Sequence, residues 1–288
     1  MAVAGRAGVT HWADQQVALL TQHGKERVIA PVLEPALGCR VHHVSHFDTD
    51  QLGTFTRDVP RPGSQLEAAR QKARMGMSLS GLPVGLASEG SFGPDPFTGM
   101  FPWNVEMLVW LDERLGIEVV GMAQGPAQSG HLQTADWVAL ERFADEEGFP
   151  GHQLVMRPQD QDDPRLIKGI ADRAALRAAF ETCVSQASNG QVFAELDLRA
   201  FANPTRMARI GEAAQDLLKR LQSSCPACAK PGYWITQRTG GLPCSACKQP
   251  TKTYLSQEWA CVSCAHRHTE RRTDRLFADP QHCEHCNP

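Results

Sequence analysis

Residues Leu82–Pro96 read LPVGLASEGSFGPDP, and the parsing of this stretch decides what kind of domain surrounds it. The apolar run Val84 to Ala87 predicts a buried strand that delivers one carboxylate, Glu89, into a turn kept unhindered by Gly85, Gly90 and Gly93. Glycine permits positive φ and close approach of a ligand to the main chain. Mg²⁺ commonly takes one or two carboxylates together with substrate oxygens, so Glu89 is a candidate for holding a cation beside a phosphate. The plainer reading is a solvated acid in a turn that only redirects the chain.

Moving towards the N-terminus, Ser64-Gln65-Leu66-Glu67 is a capping box, with Ser64 capping and Glu67 reaching back. The helix it opens carries Leu66, Ala69, Ala73 and Met77 on one face and is expected to run to about Leu79. Further upstream, residues 17–20 read as a short buried strand running into Thr21-Gln22-His23-Gly24-Lys25-Glu26. A strand, a polar glycine turn, a lysine and then a helix is how a phosphate meets backbone N–H groups at a helix N-terminus. The expected helix covers residues 27–37 although Pro31 and Pro35 are costly inside it. Gly38 stops it, and a second strand is expected near residues 39–44. His42, His43, His46, Asp48 and Asp50 follow with no spacing that enforces convergence, and read as a polar strand end and loop.

Towards the C-terminus, strands are expected at residues 105–111 and 117–123, a helix at 136–147, a strand at 152–157 and a helix at 172–185. Cys183 shares a face with Leu176 and Phe180 there, as a buried thiol rather than a nucleophile. Residues 192–199 alternate, with Glu195, Asp197 and Arg199 on one side. Asn203 then caps a helix whose first residue is Pro204 and whose apolar stripe is Met207, Ile210, Ala214, Leu217, Leu218 and Leu221. Strands alternating with helices over residues 1–222 indicate an α/β domain, and Ser223-Ser224 marks its expected end.

Eight of the ten cysteines lie in the last 64 residues, as Cys225/Cys228, Cys244/Cys247, Cys261/Cys264 and Cys283/Cys286. Each C-x-x-C pair is a metal knuckle, and two knuckles complete a tetrahedral thiolate site, so residues 223–288 are expected to hold two closed structural Zn²⁺ sites. Sequential pairing into two zinc ribbons is the favoured arrangement, with 15 and 18 residues between paired knuckles; cross-braced pairing is the alternative. His266, His268, His282 and His285 are superfluous as ligands because eight thiolates already fill two sites.

The chain has no apolar N-terminal core of signal-peptide type and no run approaching the roughly 20 residues of a membrane span, so it reads as cytoplasmic, with no membrane partner. Its net charge of −3 gives no global attraction to nucleic acid. The cysteine-rich segment holds eight Lys/Arg against five carboxylates, and each filled site adds about −2. A nucleic-acid or protein partner for the ribbons is therefore conceivable but unsupported by charge.

The order strand, Thr-x-His-x-Lys-Glu, helix, GSQLEAARQKA, LASEGSFG resembles the inosine triphosphate pyrophosphatase and Maf-like nucleotide hydrolases. In those enzymes a Thr-x-Asn-x-x-Lys turn holds phosphate, a helix ends in Asn-Ala-x-x-Lys-Ala, and a strand ends in an acidic turn that holds Mg²⁺. The resemblance implies that Thr21, His23 and Lys25 sit at the phosphates, that Lys72 takes the helix-lysine position, and that Glu89 is the metal ligand or base. Glu26 would be a second magnesium ligand, and Arg199 or Arg206 would stand in for a missing terminal arginine. The whole chain also resembles an uncharacterised bacterial domain-of-unknown-function family in which this α/β part precedes a cysteine-rich tail with NPTRM at its last helix. The expectation is an α/β domain with a mixed sheet and flanking helices, similar to inosine triphosphate pyrophosphatase, followed by a double zinc ribbon. The implied activity is Mg²⁺-dependent hydrolysis of a nucleotide phosphoanhydride. The alternative is a non-catalytic nucleotide-binding scaffold whose ribbons dock a protein or nucleic acid.

Overall fold

The computed structural model describes residues 11–45 and 63–288, so His46, Asp48 and Asp50 lie outside the described residues. The chain is a mixed α/β protein with a five-stranded, a four-stranded and a three-stranded sheet. The described residues form two compact units, one of Asp112–Val119 with Lys219–Pro288, the other of residues 11–111 and Val120–Leu218.

The five-stranded sheet has the order β2-β1-β3-β4-β5, built from β1 (Gln16–Leu20), β2 (Arg40–Val44), β3 (Val84–Pro94), β4 (Pro102–Asp112) and β5 (Ile117–Pro126). β1 pairs in parallel with β2 on one side and with β3 on the other. Helix α1 (Glu26–Leu37) leads from β1 to β2, and α2 (Gln65–Ser80) precedes β3. The two crossovers leave in opposite directions, so right-handed connections place α1 and α2 on opposite faces of the sheet. The gap outside the C-terminal end of β1 is thereby a topological switch point, where open α/β sheets bind ligands.

Alternation along the strands sorts the core. Ala69, Ala73 and Met77 of α2 pack on Ala87, Val109 and Leu111. A Cβ on Gly85 would lie 2.5 Å from Met77 Cγ and 2.8 Å from the Ala73 carbonyl oxygen, so the glycine lets helix and strand approach. The Ser64 capping box forms as its sequence predicts, Ser64 N–H donating to Glu67 Oε2 at 2.7 Å and Glu67 N–H to Ser64 Oγ at 3.3 Å. Helix α1 runs through both Pro31 and Pro35. Burial of Ile29, Leu33 and Leu37 offsets the lost backbone bonds, an instance of packing overriding propensity.

The four-stranded sheet has the order β6-β9-β7-β8, from β6 (His131–Thr134), β7 (Leu154–Pro158), β8 (Ile167–Ile170) and β9 (Val192–Leu196). Helices α3 (Trp137–Glu146) and α4 (Arg173–Gln186) build its core with Leu140, Leu154, Met156, Leu176, Phe180 and Val192. β6 and β8 escape a sequence reading because HLQT and IKGI are too short and polar to show a period, and only their partners make them strands. Cys183 is buried, and that burial raises its thiol to about 11, as suits an inert core residue. Helix α5 (Pro204–Gln222) begins where Asn203 Oδ1 accepts the Arg206 N–H at 2.9 Å.

In the cysteine-rich unit, β10 (Trp234–Gly240), β11 (Tyr254–Ala260) and β12 (Arg267–Arg271) form an antiparallel sheet. No described helix is long and apolar enough to cross a membrane.

Candidate functional site

The loop after β1 brings Lys25 back over the end of that strand. The Lys25 side chain is buried, and its ammonium donates to the Ser88 carbonyl oxygen at 3.0 Å and to Ser88 Oγ at 3.5 Å. β1 ends at Leu20, so β3 continues beyond its neighbour, and Lys25 takes up a β3 carbonyl there. Lys72 of α2 pairs with the buried carboxylate of Glu89. Glu89 is thus a mid-strand residue, not one in a turn: β3 runs on to Pro94. The glycines of the LASEGSFG stretch work by closeness rather than by turning. A Cβ on Gly90 would lie 2.2 Å from Glu106 Oε1 and 2.6 Å from Arg206 Nη2, whereas one on Gly93 would meet nothing within 4 Å.

That clash identifies the heart of the cluster. Arg206 Nε donates to Glu106 Oε1 at 2.7 Å, both side chains being buried, and Arg206 Nη1 donates to the Leu198 carbonyl oxygen at 2.5 Å. Asn104 Nδ2 donates to the same Glu106 oxygen at 3.0 Å and to the Ser91 carbonyl oxygen at 3.1 Å. Gln65, the first residue of α2, donates to the carbonyl oxygens of Glu89 at 2.8 Å and Val105 at 3.0 Å. Three successive residues of β3, Ser88, Glu89 and Gly90, therefore each lie against a cation: Lys25, Lys72 and Arg206.

The electrostatics follow from this crowding. Burial, then the charge of Arg206, lowers Lys25 to about 7; Glu89 and Glu106 pull the other way, and Lys72 adds to the lowering. Burial lowers His23 to about 3, with Lys25, Arg206, Arg199 and Lys72 contributing in that order, so the imidazole is neutral at physiological pH. Arg199 is held by Asp197, Nε to Oδ1 at 3.0 Å and Nη2 to Oδ2 at 2.5 Å, and its guanidinium stacks 4.7 Å above the Phe201 ring. Phe201 in turn meets the His23 ring edge-on at 5.5 Å. Three carboxylates, Glu89, Glu106 and Asp197, are matched by Lys72, Arg206 and Arg199. Lys25, bound to neutral acceptors, is the cation left over in that count.

Other predicted residues take different places. Thr21 Oγ1 accepts the His23 N–H at 3.3 Å, and the Thr21 carbonyl oxygen lies 2.6 Å from His43 Nε2, which fixes the loop. Glu26 pairs with Arg27 at 3.9 Å, and the carboxylate of Glu89 is taken by Lys72. Among the described residues neither acid belongs to a group of three or more metal-type ligands. Asp95 folds its own loop: its carboxylate accepts the N–H groups of Phe97, Thr98, Met100 and Phe101 at 2.7–3.0 Å. Those N–H groups, led by that of Phe101, hold its carboxyl well below the usual range. The strand expected to reach Arg199 stops at Leu196, so Asp197 and Arg199 turn towards each other. Sequence reasoning missed Glu106 and Asn104. The signal was available in an acid two residues from a polar amide within an otherwise apolar strand, since a buried carboxylate requires a partner.

The cysteines form two four-thiolate groups, Cys225/Cys228 with Cys261/Cys264 and Cys244/Cys247 with Cys283/Cys286, the sulfurs of each lying within 4.8 Å of one another. Sequential pairing is thereby corrected to cross-bracing. The reason is strand direction: β10 carries the chain some 20 Å from the first knuckle to the second. β11 returns antiparallel to the first, with Trp234 opposite Ala260, and β12 runs out again, with Ala260 opposite Arg267. Knuckles one and three therefore share one end, two and four the other. The Sγ–Sγ contacts are 3.7 Å for Cys225–Cys264 and Cys228–Cys261, 3.8 Å for Cys244–Cys286 and 3.6 Å for Cys247–Cys283. A tetrahedron with Zn–S near 2.3 Å has edges of about 3.8 Å, so the geometry fits two Zn²⁺ ions. Backbone N–H groups already support thiolate character, that of Cys247 leading the fall of the Cys244 thiol to about 7. Four protein ligands would fill each tetrahedron and leave no open position on an ion held there. None of the four histidines nearby enters either group.

No curated protein matches the sequence. The model of the family described as "Domain of unknown function (DUF6671)" matches residues 72–288, most of the chain, including Lys72, Glu89, Asn104, Glu106, Arg206 and all eight knuckle cysteines. The chain belongs to that family.

Proposed function

We propose that the α/β unit binds the phosphate of a nucleotide-like phosphoanhydride against Lys25 and hydrolyses it. The observation that carries this reading is the charge count: each acid of the cluster is matched by its own cation, and the buried ammonium of Lys25 remains for an external anion. Its position supports the same reading, beside the N-terminus of α1 and at the switch point of a parallel β2-β1-β3 arrangement. So does the resemblance of the 17–95 segment to the inosine triphosphate pyrophosphatase and Maf-like hydrolases. Phosphate bound there would be met by Lys25, with Lys72 and Arg206 adding field rather than direct charge because each is already paired. A divalent cation is not assigned to Glu89 or Glu26.

In the cysteine-rich unit, the two zinc sites would carry much of the folding, at about 10–16 kcal/mol per ion. Two of the arginines there are paired with acids, the exposed Arg267 with Glu258 and the largely buried Arg272 with Asp274. No concentrated basic face supports a nucleic-acid partner among the described residues.

The test is calorimetric titration of the zinc-loaded chain with a panel of nucleoside triphosphates, alongside phosphate release. Binding that disappears in Lys25→Met supports the reading. Binding retained in that variant, or absent from the wild type, removes it. Binding without phosphate release leaves the non-catalytic scaffold as the function.

A further inference from the structure

We infer that Asn104 and Glu106 of β4 hold and activate the attacking water of the hydrolysis proposed above, a reading that rests on phosphate binding at Lys25. Glu106 is fully buried, and only one of its two oxygens is engaged. Oε1 accepts from Arg206 Nε at 2.7 Å and from Asn104 Nδ2 at 3.0 Å. Oε2, equally buried, accepts from no described group, and the same holds for Asn104 Oδ1. Residues two apart on a strand share a face, and Asn104 Nδ2 already reaches Glu106 Oε1, so the two touching side chains each carry one buried oxygen acceptor that lacks a donor. Leaving such atoms unsatisfied is costly.

What fits two acceptors is a species with two donors. A cation is disfavoured, because the charge of Glu106 is already matched by Arg206 and Lys25 stands nearby. A water molecule supplies both protons, one to Oε2 and one to Oδ1, which leaves its lone pairs facing away from β4. The neighbouring strand places Gly90 against this carboxylate and Ser88, two residues earlier, against the Lys25 ammonium. The absence of a Cβ at Gly90 keeps β3 close to Glu106.

In the reaction, the water oxygen forms a bond to a phosphorus of the anhydride while Glu106 Oε2 takes one of the water protons. The bridging P–O bond breaks and its electron pair leaves on the departing phosphate. Glu106 then returns the proton to solvent. Arg206 and Asn104 Nδ2 fix the carboxylate through Oε1 and act as positioning groups.

The experiment measures binding and turnover separately on the full zinc-loaded chain, with nucleoside triphosphates in ¹⁸O-labelled water. The wild type is expected to place one solvent oxygen in the released phosphate per turnover. Glu106→Gln is expected to bind nucleotide within threefold of the wild type and to turn over about 10³-fold more slowly, the scale of lost general-base catalysis. Because that change leaves Arg206 facing a neutral amide, Asn104→Leu is the second variant. It keeps the ion pair, and is expected to lower kcat about tenfold with KM unchanged. Wild-type turnover in the folded variants overturns the inference. So does a wild type that binds nucleotide without hydrolysing it, which leaves phosphate binding at Lys25 standing. A wild type that binds no nucleotide removes both.

Discussion

The ammonium of Lys25 and the carbonyl oxygen of Ser88 lie 3.0 Å apart, joining the loop after β1 to the strand that carries Glu89. The contact satisfies a donor but not a charge. Burial and the guanidinium of Arg206 push against the protonated form of Lys25, while Glu89 and Glu106, each held by another cation, restore only part of the balance. A buried charge kept without its own counter-ion stabilises nothing by itself. Its presence is explained if it serves an anion that arrives from outside.

Lys25→Met should therefore raise stability while abolishing anion binding. Lys25 falls from its ordinary 10.5 to about 7 in the folded chain. Between those values the unfolded chain holds a proton that the folded chain has released, so stability climbs with pH across that window. Below about 7 both states are protonated and the cost of the buried charge is felt in full. The variant should gain about 2 kcal/mol at pH 6, the scale seen when buried ions give way to apolar groups, and the gain should shrink towards pH 10. Thermal denaturation across that range checks it; a loss at every pH would make Lys25 a structural tie instead.

Anion affinity should share this titration. Sulfate keeps one charge state from pH 6 to 9, so any pH dependence belongs to the protein. Binding takes up a proton at Lys25 once the free site has lost it, and affinity should fall above pH 7 by up to about tenfold per unit. His23 stays out of it, being held near 3 by burial and the surrounding cations. Calorimetry in two buffers of different ionisation enthalpy reads the proton uptake directly. A flat profile in the wild type contradicts the assignment, while a flat and weak profile in Lys25→Met accords with it.

Much of this architecture could be read from residue pattern, and the failures have physical causes. The Ser64 capping box, the Asn203-Pro204 helix start and the buried face of α2 were legible because caps and a 3.6-residue period are local. Lys25 and Glu89 were singled out by type and context; in the fold Lys25 reaches Ser88, the neighbour of Glu89 in β3, while the Glu89 carboxylate goes to Lys72 of α2. The partners of the acids were not legible. Glu106 and Arg206 are 100 positions apart, and their pairing depends on how α5 packs. Knuckle pairing failed for a related reason: counting residues between cysteines says nothing about strand direction, and direction decides which knuckles meet.

Cross-bracing makes a prediction that sequential pairing reverses. Cys225 and Cys264 share one site, while Cys225 and Cys247 belong to different sites. The double variant Cys225→Ser/Cys264→Ser should remove the ligands of one ion and retain close to one zinc per chain. Cys225→Ser/Cys247→Ser should damage both sites and retain close to none. Native mass spectrometry of the purified chains gives the stoichiometry. Sequential ribbons would exchange the two results. Full chelation should unfold the cysteine-rich unit, since its strands have few buried apolar residues beyond Ala260.

Gly90→Ala and Gly93→Ala separate the two meanings a glycine-rich stretch can have. Both residues lie in β3, and neither has positive φ, so neither is required for turning the backbone. A methyl group at position 90 would fall 2.2 Å from Glu106 Oε1 and 2.6 Å from Arg206 Nη2, inside a buried ion pair that cannot yield cheaply. Forcing that pair apart leaves a charge uncompensated, at a cost of about 3 kcal/mol or more. At position 93 the methyl group meets nothing within 4 Å, and replacing strand glycine should be neutral or slightly stabilising. Denaturant unfolding of the two variants is the comparison. Equal stabilities would mean that β3 can move off β4, and that the Glu106–Arg206 pair does not set the spacing of the site.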